Sequence, residues 1–280
     1  MQQYSRRMVL CLGAATAAGL ALGRPRISLA EDLKKRIPIG LELYSVRNEL
    51  AKTFEPIIAQ VGQMGYEGVE FAGYYGWDKR PTQLRKLLDD NGLKCCGTHT
   101  ALATLEGDNL KKTAELHQTL GNKFLICPSL RANDAKGWMD LAKKFNDISA
   151  RAKEMGMLVG YHSHGGDFKK FDGKTSWEIF FDNTNQDVVH QIDTGNTLEG
   201  GGDPLAMIKK YPGRTKTTHV KEFGGPEAAA IGEGTIDWKS YLEAYETVGG
   251  TEWYIVEHEK GNTPLVSVKK CIDNLRKMGR

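Results

Sequence analysis

From residue 37 onward the sequence keeps a beat of about 30 residues: a short apolar or β-branched run, a turn, then apolar residues at helical spacing. IPIGLEL (37–43) reads as a strand, and Phe54, Ile57, Ile58, Val61 and Met64 follow three or four apart. EGVEFAG is a second strand, and PTQLRKLLDDNG a helix with Pro81 in its first turn and Gly92 as its stop. LKCCGTHT, NKFLICP, MLVGYHSH, DVVHQID, TKTTHV and EWYIVEH continue the strands, with helices expected near 107–121, 134–155, 175–182, 203–211, 237–248 and 263–277. Strands separated by helices pair in parallel through right-handed crossovers. Eight such units are the number that closes, so the expected fold is α/β, a single (β/α)8 TIM barrel over residues 31–280. An open doubly wound sheet is the alternative, but no GxGxxG follows the first strand and no break divides the halves.

In such a barrel the C-terminal ends of the strands form the functional face. The polar residues there are Glu42 or Tyr44, Glu70, His99, Ser129, His162 with His164, Asp193, His219 with Lys221, and Glu257 with Glu259. His162 and His164, two apart on a strand, point to one side. Neutral imidazoles and carboxylates gathered at one end of neighbouring strands suit a divalent metal with open positions for substrate. Burying so many ionisable groups without partners would cost several kcal/mol apiece. Blander readings stand beside this one. Asp193 precedes the turn-like Thr194-Gly195-Asn196 and could cap a helix. His219 could be a hydrogen-bonded core histidine, and His164 or Asp167 could ligate in place of His162. Glu70 and His99 read equally as substrate contacts or structural hydrogen-bonding groups. Trp77, Tyr74 and Tyr75 could stack on a sugar ring or cover the barrel, and Trp238 reads as packing at a helix start.

The segments GLELYSVR, GVEFAGYYG, YHSHGGDF, QIDTGN, HVKEFG, IGEGTIDW and YIVEHE together resemble the sugar phosphate isomerase/epimerase superfamily, the xylose isomerase-like barrels. The resemblance runs from about residue 37 to the C-terminus, and YHSH is similar to a subset reading YHNH at that point. It implies a metal shell of His162, Asp193, His219 and Glu257 for Mn2+, Mg2+, Zn2+ or Co2+. Catalytic roles fall on Glu257, Lys221, His164 and Glu70, and substrate contacts on His99, Glu222, Tyr44 and Trp77. Epimerases of this family use carboxylates on strands five and eight; here His162 replaces the first, and only Glu257 of the pair remains. A metal-ligating His162 has its lone pair occupied and cannot also be the base. The resemblance therefore implies proton abstraction next to a sugar carbonyl through a metal-stabilised enediolate, of the isomerase or epimerase type. A lyase or dehydratase acting on keto-sugars or 3-keto-glycosides shares that step, and a sugar-binding barrel without turnover is the reading from another class. Asn196 stands where the endonuclease branch has a further metal histidine, which argues against DNA repair.

The N-terminus reads SRRMVL, then an Ala/Gly/Leu stretch, then Ser28-Leu29-Ala30 before Glu31. This pattern is that of a twin-arginine export signal over residues 1–30, and implies a periplasmic or otherwise exported protein. Met8 to Gly23 is short of the ~20 apolar residues of a spanning helix, so no stable membrane insertion is expected once the signal is removed. The formal charge of +3 owes its sign to this segment. Without its four arginines, 34 basic residues face 35 acidic, a net of −1, which offers no nucleic-acid stripe. Five cysteines without CxxC spacing read as buried small hydrophobes, and the expected partner is a small carbohydrate.

Overall fold

A computed structural model gives the architecture, and it describes residues 36–280; the expected signal segment lies outside them. Eight strands follow one another in the chain. They are β1 (Ile39–Glu42), β2 (Gly68–Phe71), β3 (Lys94–His99), β4 (Phe124–Cys127), β5 (Leu158–His162), β6 (Val189–Gln191), β7 (Thr217–Val220) and β8 (Trp253–Val256). Every ladder between them is parallel, in the order β6-β5-β4-β3-β2-β1-β8-β7. The remaining gap between β6 and β7 is bridged by an isolated parallel pair, Asp193 with His219, and by the His219 N–H to the Ile192 carbonyl at 3.0 Å. The sheet is thus a nearly closed barrel, as the eight-unit beat predicts.

Eight principal helices lie between and after the strands: α1 (Phe54–Gln63), α2 (Pro81–Asp90), α3 (Asn109–Leu120), α4 (Ala135–Glu154), α5 (Ser176–Asp182), α6 (Pro204–Lys210), α7 (Trp238–Ala244) and α8 (Pro264–Lys277). Their starts follow local chemistry. Pro81, Pro204 and Pro264 occupy first turns, Asp134 and Asp203 accept from N–H groups at their helix starts, and Thr175 with Glu178 forms a capping box. Gly92 and Gly156 take positive φ just past α2 and α4, a conformation that suits a residue with no Cβ.

The period-two alternation divides each strand between two cores. Leu125, Cys127, Val159, Tyr161, Tyr254 and Val256 face the helix layer and join the main apolar cluster. Phe124, Ile126 and Val189 form a separate cluster inside the barrel, with Leu158 and Trp253 against it. Glycines make room for these large side chains: a Cβ at Gly160 would lie 2.7 Å from Val189 Cβ and 2.8 Å from Ile126 Cδ1. The lumen is therefore plugged with apolar groups at the start of the strands, which leaves the other end for polar ones.

Three segments depart from the expected boundaries. β5 stops at His162, so His164 stands on a 3-10 turn entry rather than on the strand. β6 stops at Gln191, and Asp193 heads a short helix, Thr194–Glu199. α7 is continued by a π turn, Tyr245–Gly249. Short helices at Arg47–Lys52 and Leu102–Leu105 and a small hairpin pairing Lys170–Phe171 with Lys174–Thr175 are further additions, all carried by loops.

Candidate metal centre and active site

The last inward positions of the strands bring Glu42, Glu70, His99, His162, Gln191 and His219 to one end of the lumen, with Asp193 and Glu257 just beyond. All are buried except His99, which is partly so. At their centre lies Gln191. Its carbonyl oxygen meets His99 Nε2 at 2.9 Å and His162 Nδ1 at 3.0 Å. Its amide donates to both Glu70 oxygens, at 3.0 and 3.2 Å, and to Thr217 at 2.9 Å. This orientation is self-consistent: two ring N–H groups point at the carbonyl, and the amide points at a carboxylate. Glu70 also fits because β3 carries Gly97 beside it, where any Cβ would collide with the carboxylate. A register shift between Val69 and Glu70 against β3 aligns the two.

His219 is held from both sides. Nε2 bonds to Glu70 at 2.6 Å and Nδ1 to Glu257 at 2.6 Å, with Asp193 Oδ2 at 3.7 Å from the same Nδ1. Burial alone would lower the pKa of this imidazole, but the Glu257 and Glu70 hydrogen bonds and charges raise it well above its ordinary value. Glu257 moves the opposite way: burial would raise it, yet the His219 hydrogen bond and the nearby charges of His219 and Lys221 carry it well down. His162 is held neutral, first by burial and then by its histidine neighbours.

Potential ligand atoms of His162, Asp193, His219 and Glu257 all lie within 4.8 Å of one another. Three observations fit a divalent ion there. Asp193 Oδ1 accepts from the Asn196 N–H at 2.7 Å, while its Oδ2 is buried without a partner. The bland reading of Asp193 as a helix cap is thus true of one oxygen and leaves the other free. The His162 Nδ1 proton directed at Gln191 places the ring's lone pair on Nε2. The Glu70 contact at His219 Nε2 turns Nδ1 toward the cluster, where a metal would take the place of the proton that Nδ1 now shares with Glu257, a carboxylate–histidine arrangement of the kind that orients metal ligands. Burial, with Glu257 adding to it against the pull of Lys221, pushes Asp193 up to about 7. A bound cation would relieve that cost.

The other expected site residues separate into two groups. Lys221 joins the cluster: its ammonium donates to Glu257 Oε1 at 2.9 Å, to Asn196 Oδ1 at 3.0 Å, and to Glu259. Burial would lower its pKa, but the charges of Asp193, Glu257 and Glu259 raise it, so it stays a cation. His164 stands at the rim, its ring 4.8 Å from that of His162 and at a steep angle to it. Tyr44 is exposed at the mouth beneath the Arg47 guanidinium. Asp167 is not in the cluster; it accepts from Tyr161 and from the His164 N–H, each at 2.7 Å. Glu222 turns away into its own loop, where it accepts from the Gly232 N–H at 2.5 Å and from Trp238 Nε1 at 2.8 Å. Trp77 is buried in a stack on Phe54, 5.2 Å between centroids, under Arg80. Glu222 still lines a smaller hollow beside Lys221, Glu257 and Glu259, whereas Trp77 is not among the residues lining the cavities at the barrel mouth.

Gln191 and Glu42 escaped the sequence-based site. Glu42 was visible as a strand end, yet its carboxyl is fully buried with Oε2 unpartnered, and burial together with Glu70 raises its pKa well above the carboxylate range. Gln191 sits two residues before Asp193, on the face alternation assigns to the lumen, and that parity was the available signal.

Over the cluster opens a cavity of about 480 Å³ lined in part by Glu42, His99, His162, His164 and Glu257. Among the described residues no helix is long and apolar enough to cross a membrane. The inosose dehydratase of Lacticaseibacillus casei (strain BL23) is 27% identical in an alignment covering 81% of this chain and 90% of that protein. A crystal structure of a sugar phosphate isomerase/epimerase from Parabacteroides distasonis superposes with a TM-score of 0.76 at 25% identity, covering 85% of this chain and 93% of that one. The D-allulose 3-epimerase of Methylomonas sp., solved in complex with D-allulose, shares the fold with a TM-score of 0.64 at 12% identity, over 86% of this chain and 97% of its own. Residues 58–278 match the family described as the xylose isomerase-like TIM barrel, and the chain belongs to it.

Proposed function

We propose that this protein is a divalent-metal-dependent carbohydrate enzyme that removes a proton next to a sugar carbonyl, in the manner of an isomerase or epimerase. The observation that carries this reading is the buried His162, Asp193, His219 and Glu257 set, with one Asp193 oxygen unpartnered beneath an open cavity. A bound divalent ion would supply the positive charge that polarises the carbonyl and lowers the cost of the enediolate. Glu70 and Gln191 orient the two histidines. Lys221, held as a cation at the cavity edge, offers a positive charge to a developing oxyanion. His164, at the rim and outside the ligand set, is our candidate to move the proton, with Glu257, which lines the same cavity, as its counterpart. We further read the chain as a member of the YHNH-type subset that is exported through the twin-arginine route, on the strength of YHSH and the SRRMVL leader.

A second reading, elimination by a lyase or dehydratase acting on a keto-sugar or 3-keto-glycoside, is favoured by two observations. His162 occupies the place of the second proton-transfer carboxylate, and the relative from Lacticaseibacillus casei is named a dehydratase. Elimination needs one base and one acid rather than two bases on opposite faces. Metal analysis of purified protein, then deuterium exchange into ketoses with product identification by NMR, separates the readings. Exchange with an isomeric product supports the first, and loss of a hydroxyl or glycosyl group the second. Exchange without metal, or unaffected by Glu257→Gln, refutes the mechanism; sugar binding with neither outcome leaves a binding barrel.

A further inference from the structure

Two hollows meet at the barrel mouth. One is the cavity of about 480 Å³ over the cluster. The other, of about 580 Å³, lies between residues 129–133 after β4 and residues 164–171 after β5. Ser129 and His164 line both, so the two are contiguous across this pair. Each is large enough by itself for a small ligand.

The second hollow has its own chemistry. Phe171 provides partly exposed flat apolar surface, the kind that covers a sugar ring face, and the buried rings of Trp138 and Tyr161 back the wall behind it. Arg131 and Lys169 stand on its wall without a carboxylate partner among the described residues, and Lys169 Nζ lies 5.3 Å from the Phe171 ring centroid. Trp138 is 4% exposed, and its indole N–H has no acceptor. Asp167, pushed up to about 6 by burial, is the one carboxylate in the lining. Surplus donors beside an aromatic floor call for an occupant rich in acceptor oxygens.

We propose that the substrate consists of two covalently linked units: a reacting sugar over the cluster and a second oxygen-rich ring unit in the hollow between the β4 and β5 loops. His164 stands at the junction of the two. This inference rests on the reading that the cluster cavity takes a sugar, and it adds the size and the far end of that substrate.

The test compares one-ring and two-ring ketoses on the metal-loaded full chain. D-fructose is the single-ring probe; turanose, maltulose and lactulose are the two-ring probes. Binding is read by calorimetry and proton abstraction by deuterium exchange. At least one two-ring ketose is expected to bind tenfold or more tightly than fructose. Asn133→Trp, which plugs the hollow from an exposed rim position, is expected to bring that ratio to near one. The double variant Arg131→Ala/Lys169→Ala, which adds no bulk, is expected to lower the ratio at least threefold. Equal binding of one-ring and two-ring probes, or a ratio that neither variant moves, overturns the second subsite. Metal-dependent exchange of fructose in that case leaves the proposed reaction standing. A plug-sensitive preference with no exchange from any probe keeps the subsite and removes the reaction.

Discussion

Replacing Gln191 by Leu removes the centre of the buried network while nearly preserving volume. The wild-type amide satisfies His99 Nε2, His162 Nδ1, both Glu70 oxygens and Thr217 Oγ1. Glu70 keeps His219 at 2.6 Å, so the groups left with no substitute are chiefly the two ring N–H groups. A buried polar group deprived of its partner costs roughly 1–3 kcal/mol, which places the loss for two of them at about 2–6 kcal/mol. Thr217→Val, which removes one hydrogen bond and keeps the rest, is the internal scale at about 1 kcal/mol. Metal binding should weaken as well, because His162 loses the partner that holds its lone pair on Nε2. Outer partners of this kind are typically worth 10–100-fold in affinity. Urea unfolding of EDTA-treated protein measures the first effect, and Zn2+ titration against a competing chelator the second. If Gln191→Leu unfolds within about 1 kcal/mol of the parent and binds Zn2+ equally, the network does not organise the centre and the reasoning fails.

Further outcomes follow from other residues. Metal at about 100 times its Kd should stabilise the fold by ~2.7 kcal/mol, a Tm rise of roughly 5–10 °C in a domain of this size by differential scanning calorimetry. Asp193→Asn, which keeps an oxygen for the Asn196 N–H, should abolish that rise while the metal-free Tm stays within a few degrees; an undiminished rise would remove Asp193 from the shell. Gly97→Ala should cost several kcal/mol in unfolding experiments, since the new methyl meets the Glu70 carboxylate inside a packed lumen; a neutral result means that Glu70 has room to move. His117 is buried between Tyr74 and Asn122, and burial lowers its pKa to about 4. The unfolded chain takes that proton from about pH 6.5 downward and the folded one only near 4, so the stability it contributes is complete above 6.5 and declines as pH falls through this window. His117→Gln should flatten the decline by up to about 3 kcal/mol in unfolding free energies measured at pH 7 and pH 4, and parallel profiles for variant and parent would refute the assignment.

The parts of this molecule differ in how far local sequence describes them. Strands and helices were legible because each writes its own period: Leu125 and Val159 alternate with their neighbours, and Phe54, Ile57, Ile58 and Val61 recur at helical spacing. Strand ends were blurred by about two residues where a loop takes a different local structure, as at His164 and Asp193. The cluster of histidines and carboxylates was legible because such groups at strand ends have few reasons to be buried together. Gln191 was not, because an amide carries no mark of its role until four strands bring His99, His162, Glu70 and Thr217 around it.

Parity supplies the criterion that residue type alone lacks. Gln191 shares a face with Val189 and lies in the lumen; Lys221 shares a face with His219 and joins the cluster. Glu222, one residue on, falls on the opposite parity and braces the loop that holds Trp238. The resemblance implied a substrate contact for it, and in this structure its carboxylate is engaged within its own loop, beyond the end of β7. The rule weakens only where pairing is irregular. At the register shift between Val69 and Glu70, Cys95 joins the helix-side core while Gly97, two residues on, lies against Glu70 inside the barrel. That irregularity lets Glu70 reach His219 and Gln191 at once, so the one place where the strand pattern breaks also positions the shared carboxylate partner of the site's histidine network.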